Sequence, residues 1–429
     1  MNSFWRIFSL EFTAFVRSKS LAMLLAASVA WMFVAPLVFG GDGTEEGARQ
    51  LTVHYSLGGV AALLSVVLLS SATGSIAAER ASRRLQLTLV RPVRYTSIVI
   101  AKTAALTFAG AIVLAAAACV ELVRQPLSRP CRHVLSPVLP TPQEEARAMY
   151  EAFVNDPSTS DAIKKTKKSV VLRFLAQRAF DRYETVGTNE TAVWSFALPR
   201  DMALGAGAMS GMCARLRFTN DYDMRQDVRG WLAFDDGESL WSGCVSNITK
   251  AVVEVPLAAS PADGERTPGA LSFRNEGKSG LMLRPRRDVN LLVRADGFGW
   301  NLLRAYFELV AVFALLVSFG MFLGSALGRP VALFAAIAAL VVSEMSPSVI
   351  EQYPDELEKD AIDAIGLHIT RAVAAMTHPV SSIEPMAKLA EDTCVERREV
   401  VRVLVADMLL APLVFAFLSS IVMPRKTYD

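Results

Sequence analysis

Apolar residues in this chain fall in long blocks rather than in an even scatter, and the blocks set its architecture. A helix needs about 20 mostly apolar residues to cross a hydrocarbon core. Six segments meet that requirement, at 21–40, 56–76, 97–121, 303–327, 331–348 and 403–423. The first follows some twenty polar and amphipathic residues and precedes five further spans, so it reads as an uncleaved span rather than a signal peptide. Between the third and fourth spans the apolar period shortens to two. VWSFAL, ARLRFT, GWLAF, SLWSGCV, AVVEVPL, ALSFR, LMLRP and VNLLVRA are short runs separated by Gly, Asn, Asp and Pro, which predicts a strand at each.

The remaining segments take their character from the same patterns. Within residues 1–20, Phe4, Phe8, Phe12 and Phe15 recur at spacings of four, four and three, which puts four rings on one face of an interfacial amphipathic helix. The insertion spans 124–300: a proline-rich linker over 124–140, a helical part over 141–183 and a β-rich part over 190–296. Thr141, Pro142 and Glu144 have the order of a capping box at the start of that helical part. Trp194, Phe196, Leu216, Phe218, Trp231, Phe234 and Trp241 are the expected sandwich core. Residues 349–402 read as two amphipathic helices broken at THPVSS, ahead of the last span and tail at 403–429.

Charge gives these blocks an orientation. Net charge is only +2, so no global field draws nucleic acid, and the basic residues matter by their position. Arg6, Arg17 and Lys19, the stretch 77–102, Arg329 in the turn before 331–348, and Arg425 and Lys426 fall on one side, while the 41–53 loop is acidic. Short basic loops stay in the cytoplasm, so both termini are expected there, in a bacterial inner membrane. The expected fold class is an α-helical polytopic membrane protein of six transmembrane helices, carrying an inserted α+β, β-sandwich-like extracytoplasmic domain between the third and fourth.

Candidate chemistry is sparse. No GxxxxGK[ST] loop is present, so the chain has no phosphate cradle of its own, and no GxSxG, HExxH or CxxC appears. His54, His133, His368 and His378 show no ligand spacing, which leaves no metal or other cofactor to expect. Cys131, Cys213, Cys244 and Cys394 fall on the outer side, where four cysteines allow three pairings or none. Arg304 and Glu308 stand four apart and could pair along one helix face, while Glu308, Glu344 and Asp407 near span ends suit either snorkelling to the interface or a polar vestibule.

The stretch ERASRRLQLTLVRPVRYTSIVIAK, at 79–102, resembles the cytoplasmic segment of ABC-2 type permeases, the membrane subunits of one class of ABC exporters. Glu79, Arg80, Leu85, Leu89, Pro92, Val93 and Lys102 fall at positions of the pattern E-R-x-x-G-T-L-x-x-L-L-x-x-P-V-x-R and its following G-K. Arg83 and Arg84 replace its Gly-Thr, and Ala101 replaces its second-motif glycine. LEFTAFVRSK and GSALGRPVALFAAI are similar to that family's interfacial helix and its turn between the fourth and fifth spans, while the outer insertion has no counterpart in typical members.

The resemblance implies a non-catalytic permease subunit, paired with a cytoplasmic ABC ATPase that binds the ATP, and with a second or related permease copy in the bilayer. Glu79, Arg80, Arg83, Arg84, Leu85, Leu89 and Pro92 would then form the element that docks on the ATPase, within a coupling segment at 77–96. Leu85, Leu87 and Leu89 flanked by arginines suit a short amphipathic helix ended by Pro92. The alternative is a membrane-anchored sensor or scaffold whose outer domain binds a ligand or envelope partner, with Arg83 and Arg84 as a lipid-binding cluster.

Overall fold

The computed structural model describes residues 3–39, 45–82, 94–125, 129–138, 185–197, 212–219, 226–235, 240–249, 252–257, 269–352 and 385–426, with scattered helical residues between 146 and 175. Two compact units result, a helical one from Met1–Arg129 and the residues after Gly297, and a β-rich one from Pro130–Asp296. The helical unit contains α1 (Ser3–Val16), α2 (Lys19–Val38), α3 (Glu45–Ala81), α4 (Tyr95–Arg124), α5 (Phe298–Ala326), α6 (Arg329–Gln352) and α7 (Pro385–Ala390). Its last helix starts as α8 (Arg397–Val403), loosens into a π-helical segment (Leu404–Leu410) and ends as α9 (Ala411–Lys426).

Among the described residues, five helices are long and apolar enough to cross a membrane: Leu21–Val38, Gly47–Ala81, Tyr95–Arg124, Phe298–Ala326 and Arg397–Met423. The segment expected at 331–348 lies on α6, of which Arg329–Val342 is the apolar part among the described residues. At 37 residues α3 is about 55 Å long, well beyond a hydrocarbon core of about 30 Å, so its charged ends have room outside it. α5 is the central helix: 83% of its apolar stretch is buried, against 28% for α2.

Small residues let α5 approach its neighbour closely. Gly320 and Gly324, four apart, lie on Leu69, Ala72 and Thr73 of α3, and a Cβ at 324 would stand 2.5 Å from the Thr73 carbonyl oxygen. Leu57, Leu64, Leu68, Ile76, Phe313 and Val317 fill the seams around this contact. The rings of α1 form a ladder in which Phe8 stacks on Phe4 (6.5 Å) and Phe12 (6.0 Å), and both Phe8 and Phe12 meet Phe108 of α4. The aromatic face of α1 is therefore spent partly on α4, leaving Trp5 and Leu10 exposed.

At the opposite end of the helices from α1, the loop after α7 is fastened by polar contacts. Buried Asn301 on α5 donates to the Thr393 carbonyl and accepts from the Val395 N–H, each at 2.8 Å. Asp392, with φ of 56°, takes Arg49 at 3.0 Å and Arg129 at 2.7 Å. Cys394 in the same loop is disulfide-bonded, whereas Cys119 on α4 is a free thiol. The helix break expected at THPVSS lies outside the described residues.

The β-rich unit is built from two four-stranded sheets, in the orders β1-β10-β4-β7 and β3-β8-β5-β6, with a small β2-β9 pair. Its strands are β1 (Pro130–Leu135), β2 (Thr185–Val186), β3 (Thr191–Phe196), β4 (Met212–Arg217), β5 (Asp227–Asp235), β6 (Leu240–Ile248), β7 (Val252–Leu257), β8 (Gly269–Asn275), β9 (Leu281–Met282) and β10 (Val289–Gly297). A strand falls on each of the eight expected runs. β1 is an addition, in a stretch expected as linker: PCRHVL pairs as an edge strand with its proline at the first position.

Both sheets send side chains into one core that includes Trp194, Phe196, Leu216, Phe218, Phe234 and Phe273. Trp231 departs from the expected core and is 46% exposed. Val228, Leu232 and Phe234 take the inward parity of β5, which turns Trp231, one residue before Leu232, to the other face. The side chain of Trp241 and most of the helical part at 141–183 lie outside the described residues, although Ala146, Val171 and Leu175 pack together as helical residues. Cys131 is disulfide-bonded, and Cys213 and Cys244 are not part of any disulfide. Burial pushes the Cys213 thiol up, and Cys244 is exposed.

Candidate functional site

Among the described residues, a cluster of charged side chains sits where α3 ends and α4 begins. Lys102, seven residues into α4, is 3% exposed, and an ammonium there needs a full complement of acceptors. Its Nζ donates to Glu79 Oε1 at 2.8 Å, to Glu11 Oε2 at 2.9 Å and to Ser75 Oγ at 2.9 Å. Three acceptors match the three protons of a lysine. Ser75 passes its own proton to Glu11 Oε1 at 2.8 Å, closing the network.

Each element supplies its member for a local reason. Glu11 is the lone acidic residue of α1 and faces inward beside Phe12 and Phe15. Ser75 and Glu79 are four apart and so share one face of α3. Lys102 lies two turns into α4, on the face that carries Ile98, Val99 and Leu106 into the core. Arg80, the next residue on α3, turns to another neighbour and donates to the carbonyls of Ser325 at 2.8 Å and Leu327 at 2.9 Å. Those carbonyls end α5, where a helix has unpaired acceptors and a negative dipole end. Gly74 leaves the space in which the Arg329 side chain crosses α3.

The outcome is a neutral hub. Two carboxylates and one ammonium join α1, α3 and α4, and one guanidinium joins α3 to the end of α5. The stretch 83–93 runs between α3 and α4, and the hub fastens the helices at both of its ends. A displacement of that stretch cannot move one helix alone without breaking buried ion pairs, which is costly.

Glu79 and Arg80 thus have a place in the structure, and both turn their charge to neighbouring helices of the same unit. Arg83, Arg84, Leu85, Leu89 and Pro92 lie outside the described residues. Glu11 and the full role of Lys102 were absent from the sequence-derived set. Their signals were a solitary acid in an aromatic helix and a solitary cation inside an apolar span, both of which demand partners. Elsewhere, an apolar groove of about 670 Å³ between α4 and α5 is lined by Ala118, Cys119, Leu122, Trp300, Leu303 and Tyr306. The Tyr306 hydroxyl is turned to the Ala111 carbonyl at 3.2 Å, so it does not orient a polar ligand there. Among the described residues no three His, Cys, Asp or Glu side chains converge as metal ligands.

No family model, curated protein or solved structure matches the chain.

Proposed function

We propose that the chain is the membrane subunit of an ATP-driven transporter of the ABC-2 permease kind, with the 83–93 stretch as its contact to a separate ATPase. The observation that carries this reading is the hub: the basic stretch that resembles the family's coupling segment leads on both sides into helices joined by buried ion pairs. A stretch that served only to hold lipid headgroups would need no such fastening. ATP-driven closure of the partner would push the stretch, and α1, α3, α4 and α5 would follow as one body. Both termini then face the cytoplasm, six helices cross the inner membrane and the β-rich unit stands outside, in a pair of permease chains.

Co-purification tests the reading. The wild-type chain, expressed in its native host, is expected to bring down an ABC ATPase, and Arg83→Glu with Arg84→Glu to lose it while the membrane level of the chain is unchanged. Capture without any ATPase, or capture indifferent to both arginines, favours the membrane-anchored sensor instead. The sidedness has its own check, because Cys244 is an exposed free thiol of the β-rich unit. A membrane-impermeant maleimide applied to intact spheroplasts is expected to label it, and Cys244→Ser to abolish that label.

A further inference from the structure

A second pair of carboxylates is buried in the helical unit, and three of their four oxygens lack a hydrogen-bond donor. Glu308 on α5 is 0% exposed, and neither of its carboxylate oxygens has a hydrogen-bond partner. Asp407 is 2% exposed, and its Oδ2 is likewise without a partner. Each stands ten residues in from the start of its helix, Phe298 and Arg397, which is about 15 Å along an α-helix. α5 packs along both α8 and the π-helical segment. Glu121, equally buried on α4, is better served though not fully: its Oε1 accepts from Gln125 at 3.4 Å, while its Oε2 has no hydrogen bond and only the Arg124 guanidinium at 3.7 Å as counter-charge.

Asp407 lies on the π-helical segment, and the buried face of the last helix shifts just after it. Buried positions along the last helix run Val400, Val403, Asp407, then Pro412 and Phe415. The step of five falls within or just after Leu404–Leu410, where the wider turn accommodates it. Such segments interrupt regular helices most often at functional sites.

The charges facing these two groups do not balance them. Glu308 is faced by Glu399 and Arg402 from α8 and by Lys388 from α7, and Asp407 is faced by Arg402. Lys388 and Glu399 are paired with each other at 2.6 Å and cancel. One arginine is left for two carboxylates, a deficit of one positive charge in a site closed to water. Leaving an ionised carboxylate there without a counter-charge is expensive.

We propose that Glu308 is an intramembrane binding site for one exchangeable monovalent cation, a proton or a sodium ion, with Asp407 on the π-helical segment as a second acceptor that faces the same arginine. The cation adds to a carboxylate oxygen and no covalent bond is broken elsewhere. The site is separate from the hub and independent of whether an ATPase drives the protein. Its entry is controlled by the α7–α8 end, where the Lys388–Glu399 pair lies over Glu308.

The test uses the purified full-length protein in lipid nanodiscs. Its thermal midpoint is followed from mildly acidic to mildly alkaline pH in sodium-free choline buffer, and then against sodium chloride at alkaline pH with choline chloride as the ionic-strength control. The wild type is expected to be stabilised by several degrees by acid or by sodium, and Glu308→Gln to lose most of that dependence. An acid effect alone identifies the cation as a proton, and a sodium effect above the choline control identifies it as sodium; both support the site. Asp407→Asn is measured alongside and is expected to weaken the same dependence, so the test stands if Glu308→Gln fails to fold. A wild type that responds to neither cation overturns the proposal, as does a response retained in full by the folded variants.

Discussion

Two sets of ionisable side chains are buried in the same helical unit, and they are completed in opposite ways. At the hub every charge is answered: Lys102 has three acceptors, Glu11 and Glu79 share its ammonium, and Arg80 caps the end of α5. Around Glu308 and Asp407 three carboxylate oxygens lack donors, and Arg402 is the one uncancelled positive charge that faces them both. The first arrangement is a fastening, since it gains nothing from a change of state. The second has two states of different charge, which is what a binding site requires. Burial alone does not separate them, because Lys102 and Glu308 are both almost inaccessible. The inventory of partners does.

Breaking the closed set gives the largest effect. Lys102→Ala leaves Glu11 and Glu79 facing each other without a cation, and a loss of about 3–5 kcal/mol is expected, read as a fall in the unfolding midpoint or as failure to accumulate in the membrane. Gly324→Val sharpens the comparison by disturbing packing and no charge. Its Cβ would meet the Thr73 carbonyl at 2.5 Å, and a cost of about 1–3 kcal/mol is expected in the same assay. The open set responds with the reverse sign. In sodium-free alkaline buffer Glu308→Gln is expected to raise stability by about 1–3 kcal/mol, because a neutral amide replaces a carboxylate without a counter-ion.

The smallest effect belongs to a charge set outside the helical unit. In the β-rich unit, burial alone would raise the carboxyl of Glu254, but hydrogen bonds and charge from Arg132 and Arg215 outweigh it and hold the group below its usual range. A depressed carboxyl stabilises the fold above its unfolded pKa, and that contribution disappears as the pH falls through the folded value. The acid limb of the β-rich unit's unfolding is therefore expected to flatten slightly in Glu254→Gln, with no change at neutral pH beyond the lost pair. Glu254 is 35% exposed, so the effect is screened and small.

What the sequence made legible follows the range of the interactions involved. Spans and strands are written in local periods, and five long apolar helices and a strand at each of eight runs were readable from them. Parity within a strand is less secure: GWLAF offers an aromatic at Trp231, yet Leu232 and Phe234 hold the inward positions. β1 was hidden by its surrounding prolines. The hub was legible only by halves. Glu79 and Arg80 stood out within a recognisable stretch, but Lys102 meets Glu11 across 91 residues and Arg80 meets Ser325 across 245, and no local pattern encodes such meetings. Glu308 showed as a charge in a span, with Arg304 four residues away as the apparent partner. In the fold Arg304 donates to the Val395 carbonyl at 3.3 Å, and Glu308 is buried rather than lifted to the interface.

On the proposed reading, the hub transmits motion from the 83–93 stretch to the spans. A triple variant with Glu11→Gln, Glu79→Gln and Lys102→Met removes every charge from the Lys102 network together, which is tolerated far better than removing one partner. The decisive measurement is the ATP hydrolysis rate of the co-purified complex with the wild-type chain and with this variant. The predicted result is that the ATPase still co-purifies but its stimulation by the membrane subunit is lost. Undiminished stimulation in the folded triple variant would contradict the claim.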